Sequence, residues 1–145
     1  MPQQILGQAT QYVSYTSAVT AGTDFSIAVP ADEAWIIIAL NADFTADANV
    51  IDRFVGFYFL NITPRRLFRT ELPTKIVAND VWLLEAGASM PVITNSTAKF
   101  QTTGFPAGII VPGGGSVNSI TTNIQAGDQY TDIVIIAQRF ISASS

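Results

Sequence analysis

The sequence predicts an all-β chain folded as an antiparallel β-sandwich of jelly-roll type, with an extended N-terminal arm. Three observations predict it. Apolar and polar residues alternate over short windows along most of the chain, the period of a half-buried strand. Clusters of Pro, Gly, Asp and Asn interrupt these windows every few residues, as in sandwiches and barrels. No window carries the apolar repeat of an amphipathic helix. The resulting nine or ten strands, roughly, fit a jelly roll in this length. An immunoglobulin-like sandwich and a short barrel are the alternatives.

Two similar stretches organise the chain. Residues 27–40 end one strand at Val29, turn through Pro30, Ala31, Asp32 and Glu33, and enter a very apolar run from Trp35. Residues 124–137 nearly repeat this, with Gly127, Asp128 and Tyr130 leading into Ile133, Val134, Ile135 and Ile136. Proline presets φ and aspartate bonds its own backbone, so both turns are well specified. The two Ile-rich strands are expected at the centre of the sandwich, close to each other.

Taken in order, residues 1–11 are Gln-rich and aperiodic and read as an arm; residues 12–145 read as one β-sandwich domain. Residues 12–19 alternate, with Val13, Tyr15 and Val19 on one face, and Phe25, Ile27 and Val29 form the next apolar face. Residues 35–40 are apolar on both faces, with Trp35, Ile37 and Ala39 on one side and Ile36, Ile38 and Leu40 on the other. Residues 41–50 read as a solvated acidic loop containing Asp43 and Asp47, whose spacing does not fit an EF-hand. Residues 52–61 are again two-faced, and Gly56 marks a bulge or a close backbone contact. Residues 67–70 form a short strand between Pro64 and Pro73.

Residues 81–84 form a strand that Glu85, Ala86, Gly87 and Ala88 are expected to turn. Pro91 puts the strand at 90–94 on an edge, and residues 99–103 are a polar strand around Phe100. A brief strand at 109–111 ends in a Pro-Gly-Gly-Gly-Ser loop at 112–116, expected to be flexible. Strands at 117–124 and 130–141 complete the chain. In the last, Ile133, Ile135 and Ala137 face one way and Val134, Ile136 and Phe140 the other.

The composition excludes much chemistry. The 145 residues contain no Cys and no His, so disulfides, thiolate sites, Ser–His and Cys–His catalysis are ruled out. Paired carboxylates remain, Asp32 with Glu33 and Asp128 with Asp132, but each sits in or beside a turn that explains it. No enzyme activity, metal or cofactor is expected. Trp35 and Trp82 could stack a sugar ring in a carbohydrate- or receptor-binding module, yet their strand contexts favour core packing.

Charged residues are 12% of the chain and the net charge is −4, which argues against nucleic acid as the partner. So few charges leave a surface that copies of the chain are expected to cover, and a closed trimer hides apolar patches without building filaments. The longest apolar runs are far too short to span a membrane as helices. No secretory leader is visible at the N-terminus. Asn61-Ile62-Thr63 and Asn95-Ser96-Thr97 match the glycosylation pattern by chance on this reading. The segment 63–75 holds Arg65, Arg66, Arg69 and Lys75, expected to pair with carboxylates of a partner subunit.

The acidic turns running into strands, Val29-Pro30-Ala31-Asp32-Glu33-Ala34-Trp35-Ile36-Ile37 and Ile124-Gln125-Ala126-Gly127-Asp128-Gln129-Tyr130, resemble those of small jelly-roll virion proteins of tailed bacteriophages. Head decoration or cement proteins, minor capsid proteins and fibre domains share this Thr-, Ala-, Ile- and Gly-rich style. The resemblance implies a non-enzymatic capsid component that self-associates, sits on a major capsid or tail protein, and is made in the host cytoplasm for the virion.

Overall fold

The computed structural model describes residues 5–6 and 9–143. Most of the expected arm, residues 1–4 and 7–8, lies outside the described residues. The strands are β1 (Ile5–Leu6), β2 (Thr10–Ala18), β3 (Ser26–Ala28), β4 (Glu33–Thr45), β5 (Phe54–Leu60), β6 (Arg66–Glu71), β7 (Val81–Ala88), β8 (Ile93–Asn95), β9 (Phe100–Phe105), β10 (Ile110–Pro112), β11 (Ser116–Thr122) and β12 (Gln129–Ala143).

They form two packed sheets. One holds β2, β12, β4 and β7 side by side, and the other holds β3, β11, β5 and β6. All of these neighbours run antiparallel. The chain crosses between the sheets from β2 to β3, β3 to β4, β4 to β5, β6 to β7 and β11 to β12, which is the jelly-roll path. The Ile-rich strands β4 and β12 are central neighbours, paired from Gln129 opposite Thr45 to Ile141 opposite Glu33 with two register shifts between. Between β7 and β11 the chain inserts three more strands. β9 runs parallel to β7, β8 adds to β9, and β10 pairs with β4 at residues 34–36, short of where β7 takes over at Ala39.

The core lies between the sheets. Phe25, Phe44, Phe57 and Tyr130 form an aromatic chain across it, with centroids 4.8 to 6.0 Å apart. Trp35 and Trp82 are each only 2% exposed, as their strand contexts predict. Burial of each such side chain contributes roughly 1.5–3 kcal/mol or more.

The structure corrects several sequence expectations. The β4–β12 register slips so that Ile136 faces Ala39 and Ala137 faces Ile37, leaving Ile38 unpaired in a bulge. A bulge flips the faces beyond it. Leu40 therefore joins Trp35 and Ile37 in the core, while Ile38 is exposed. The expected acidic loop is half strand, since β4 continues through Asn41, Asp43 and Thr45. Glu85 to Ala88 continue β7 rather than turning it, because the insertion supplies β9 as a ladder partner.

The Pro-Gly-Gly-Gly-Ser segment is a tight crossing, not a slack loop. Gly115 N donates to Pro112 O and Gly114 N to Val29 O, both at 2.9 Å. A Cβ at Gly113 or Gly115 would lie 2.4 Å from the carbonyl oxygen of Ala31 or Leu60. Those glycines let three backbones approach closely. Gly56 is a close backbone contact too, with Thr70 O only 2.8 Å from where its Cβ would be.

Candidate contact surfaces

The sandwich has two unlike ends, and Arg53 closes one of them. It stands just before β5 and its side chain is wholly buried. A buried guanidinium is tolerated only when its donors are satisfied, and all five are. Nε donates to Asp128 Oδ2 and Nη2 to Asp128 Oδ1, both at 3.0 Å. Nη2 also donates to Asp47 Oδ1 at 2.6 Å. Nη1 donates to the carbonyls of Asn49 and Ile51 at 3.0 and 2.8 Å.

The carboxylates reach further. Asp128 accepts the backbone N–H of Asp47 and of Gln125 at 2.8 Å each. Asp128 O accepts Gly22 N, and Asn79 N donates to Asp47 O. The connections β2–β3, β4–β5, β6–β7 and β11–β12 are thus tied at one point. Burial opposes the charge of Asp47, but the N–H groups of Asn49 and Gly127, the Asn49 amide and Arg53 outweigh it and hold its pKa below the usual carboxylate value. The expectation of a solvated acidic loop fails at Asp47 because the buried Arg53 guanidinium binds its carboxylate.

The other end carries the turns 29–33, 61–65 and 113–115. They touch one another, as Gly114 lies against Ile62 and Gly115 against Leu60. The described part of the arm belongs here as well, since Ile5 and Leu6 pair with Ala143 and Ser142, beyond the start of β4. Near this end Arg139 stacks on the Tyr12 ring at 4.4 Å and lies 3.4 Å from Glu33.

The four predicted contact cations do not form one patch. Arg65 lies in the exposed turn before β6, whose shape is set by Asn61 Oδ1 accepting the N–H of Thr63 and of Arg65. Arg66 is exposed and lies over the Tyr58 ring at 5.7 Å. Arg69 pairs with Glu71 at 2.7 Å, mid-strand on the edge. Lys75 pairs with Asp52 at 2.9 Å, toward the Arg53 end. Arg65 and Arg66 are therefore the cations turned to solvent without a carboxylate among the described residues.

The proposed carboxylate pair of Asp128 and Asp132 does not exist. Asp128 is buried on Arg53, whereas Asp132 projects from a bulge at φ 49° and accepts the Tyr15 hydroxyl at 2.6 Å. Its carboxylate neighbour is Asp43. Burial, then the charge of Asp132 and a hydrogen bond with it, raise the Asp43 pKa. The hydrogen bond to Asp132, then burial and its charge, likewise raise that of Tyr15. Asp32 and Glu33 stay in their turn, where Glu33 accepts Trp35 Nε1 at 3.4 Å. Among the described residues no three His, Cys, Asp or Glu side chains gather to hold a metal ion.

The outward face of the larger sheet is open and largely apolar, with Asn41, Asp43, Glu85 and Asp132 set among its apolar residues. Val13, Tyr15, Ile38, Val81, Leu83 and Ile110 are exposed there, around the half-buried Ile36, Val134 and Ile136.

No protein-family model matches the chain, and no curated protein does. Solved structures of infectious bursal disease virus are similar to it. The Gt strain structure matches at 8% identity over 96% of this chain and 36% of that chain, with a TM-score of 0.37. A VP2 subviral particle of the same virus matches at 10% identity over 94% and 34%, with a TM-score of 0.40. The T13 viral particle matches at 7% identity over 92% and 39%, with a TM-score of 0.32. The chain thus spans between 34% and 39% of the length of these chains.

Proposed function

We propose that this chain is a non-enzymatic structural subunit of a virus particle, of the head-decoration or minor-capsid kind, which self-associates and stabilises the shell it sits on. One observation carries the reading. The described part of the arm, Ile5–Leu6, and the Arg65–Arg66 turn lie at the same end of the sandwich, opposite the end that Arg53 cross-ties. A body that has at one end the described part of its arm and two cations without a carboxylate among the described residues is suited to sit on a partner. That partner is a major capsid or tail protein with an acidic rim, which Arg65 and Arg66 would grip with forked hydrogen bonds, whereas Arg69 and Lys75 are held by Glu71 and Asp52 away from that end.

Self-association follows from the open apolar face, which an isolated chain of net charge −4 and 12% charged residues would leave in water. A closed trimer is the proposed arrangement. The bacteriophage assignment rests on the turn resemblance. The alternative, a carbohydrate- or receptor-binding module, loses its two best residues, because Trp35 and Trp82 are buried and offer no stacking platform. Immunogold labelling of purified virions with antibody to this chain, together with the native mass of the isolated protein, tests the proposal. Unlabelled particles, or a stable monomer at micromolar concentration, would overturn it.

A further inference from the structure

Six strands have a partner on one side only among the described residues: β1, β2, β8 and β10 in the larger sheet, β3 and β6 in the smaller. An open edge is a template for pairing, and proteins blunt it by shortness, charge, proline or bulges. Five of the six are blunted: β1 is two residues long, and β10 is three and ends in Pro112. β3 and β8 are three residues each. β6 carries Arg66, Arg69 and Glu71 and is flanked by Pro64 and Pro73.

β2 has none of these devices. It is nine residues long, Thr-Gln-Tyr-Val-Ser-Tyr-Thr-Ser-Ala, without a charge, a proline or a glycine. Its register with β12 is constant from Ala18 opposite Thr131 to Thr10 opposite Arg139, so no slip bends it away. It also carries the exposed Val13 and Tyr15, at 54% and 60%. A long, flat, uncharged and partly apolar edge is an interface that lacks its other half.

We propose that β2 pairs with β2 of a second copy of this chain, antiparallel about a two-fold axis at Ser14, so that two larger sheets become one. The sequence of the strand selects this occupant, because it is self-complementary in that register. Residues whose numbers sum to 28 face each other. Val13 then opposes Tyr15 of the second copy on the outward face, twice, and β-branched–aromatic pairs are favourable cross-strand partners. Tyr12 opposes Thr16 on the inward face, and Gln11 opposes Ser17. The charged groups nearest the edge do not meet their own kind: Arg139 stands beside Thr10, which faces Ala18 of the second copy, and Asp132 is bonded to Tyr15, which faces Val13 of the second copy. A two-fold contact is isologous and closes on itself. It leaves the rest of the outward face free for the three-fold contact, and two contacts of different symmetry are what a shell needs.

The pairing rests on the self-association proposed above, and its test separates the two. The chain has no cysteine, so introduced thiols are unique. Directly opposed residues in an antiparallel pair have Cα atoms about 4.5–5.5 Å apart, within disulfide range. Ser14→Cys is expected to form a covalent dimer under mild oxidation of the native protein, with the bond lost on prior denaturation. Thr10→Cys and Ala18→Cys, each alone, are expected to stay uncrosslinked, because the eight-residue offset holds like thiols roughly 26 Å apart. Mixed together, with one carrying a mass tag, they are expected to give the heterodimer. Melting curves for each variant confirm that it is folded. A native oligomer in which neither Ser14→Cys nor the mixture crosslinks overturns the edge pairing and leaves self-association standing. Crosslinking of Thr10→Cys with itself overturns the register. A stable monomer overturns both the pairing and the self-association it rests on.

Discussion

Arg53 and Asp128 meet side-on, Nε to Oδ2 and Nη2 to Oδ1 at 3.0 Å each, with both side chains fully buried. Neither is near the other in sequence, and together they fasten four connections at one end of the jelly roll. Such a pair adds little over a well-packed apolar pair, but removing one partner strands a buried charge. Arg53→Met is therefore expected to destabilise the fold by about 3–5 kcal/mol, read as a lower midpoint in urea unfolding. Adding Asp128→Asn is expected to recover part of the loss, because the stranded charge goes with it. A single variant that unfolds at the wild-type midpoint would show that the cluster is ornamental to stability.

That cluster is also the measure of what the sequence conceals. Alternation and turn chemistry predict the jelly roll and the central pairing of the two Ile-rich strands, because both are local signals with one physical outcome. Arg53 carries no such signal. In Asp52-Arg53-Phe54 it reads as the polar lip of a strand, and only the fold brings residues 47 and 128 to it. The bulge at Ile38 is equally silent, since an all-apolar run offers no polar residue to reveal which face is which. Glu85 to Ala88 read as a turn from composition, and the inserted β9 overrides that by pairing with them. The basic residues were legible as a segment but not as separate groups, because Glu71 and Asp52 claim Arg69 and Lys75 only in three dimensions.

Acid behaviour should divide between two aspartates. Asp47 has a folded pKa below its ordinary 3.8, so its contribution is present above that value and is lost as pH falls through the lower folded one. Asp43 has a folded pKa above 3.8, so folding favours its protonated form. Its contribution is present below 3.8 and is lost as pH rises through the folded value. Asp43→Asn is then expected to raise the melting temperature at pH 7 by about 1–2 °C, the low end for relieving a like-charge cross-strand pair after solvent screening. The gain should shrink as pH falls toward the raised folded pKa, where the wild-type carboxyl takes up its own proton. With no His or Cys, the wild type should melt at nearly constant temperature between about pH 6 and 8. A gain for Asp43→Asn that grows toward pH 4 would contradict the assigned sign.

Two partnered glycines of β7 and β9 should respond differently to a methyl group. Gly87 and Gly104 are register neighbours, and both face Met90. A Cβ on Gly104 would lie 2.2 Å from the Met90 carbonyl oxygen, which is backbone, whereas one on Gly87 would lie 2.9 Å from the Met90 Cε, the mobile end of a side chain. Gly104→Ala is expected to cost about 1–3 kcal/mol as the 89–92 connection is pushed away. Gly87→Ala should cost less than about 1 kcal/mol, since methionine repacks readily. Equal losses in thermal unfolding would mean that the connection yields as easily as the side chain.

Attachment is the prediction on which the functional reading turns. Removing residues 1–8 leaves β2, β12 and β4 intact as described, so the truncated chain is expected to fold and to keep its oligomeric mass. It is also expected to lose binding to particles stripped of the protein, because an extended arm can add a strand to a neighbour's sheet only while it is present. Arg65→Ala with Arg66→Ala removes the exposed cations of the same end without touching the core. Exposed ion pairs are individually weak, so the double variant should bind roughly three- to thirtyfold less tightly. The difference should narrow as salt rises, because such charges are screened over about 8 Å at physiological ionic strength. Co-sedimentation of each variant with stripped particles, across a salt series, measures both effects. Full binding by both variants would move the attachment surface to another face of the sandwich. Unfolding of the truncated chain would show that the arm is a strand of the core, held there by the pairing of Ile5 and Leu6 with the end of β12.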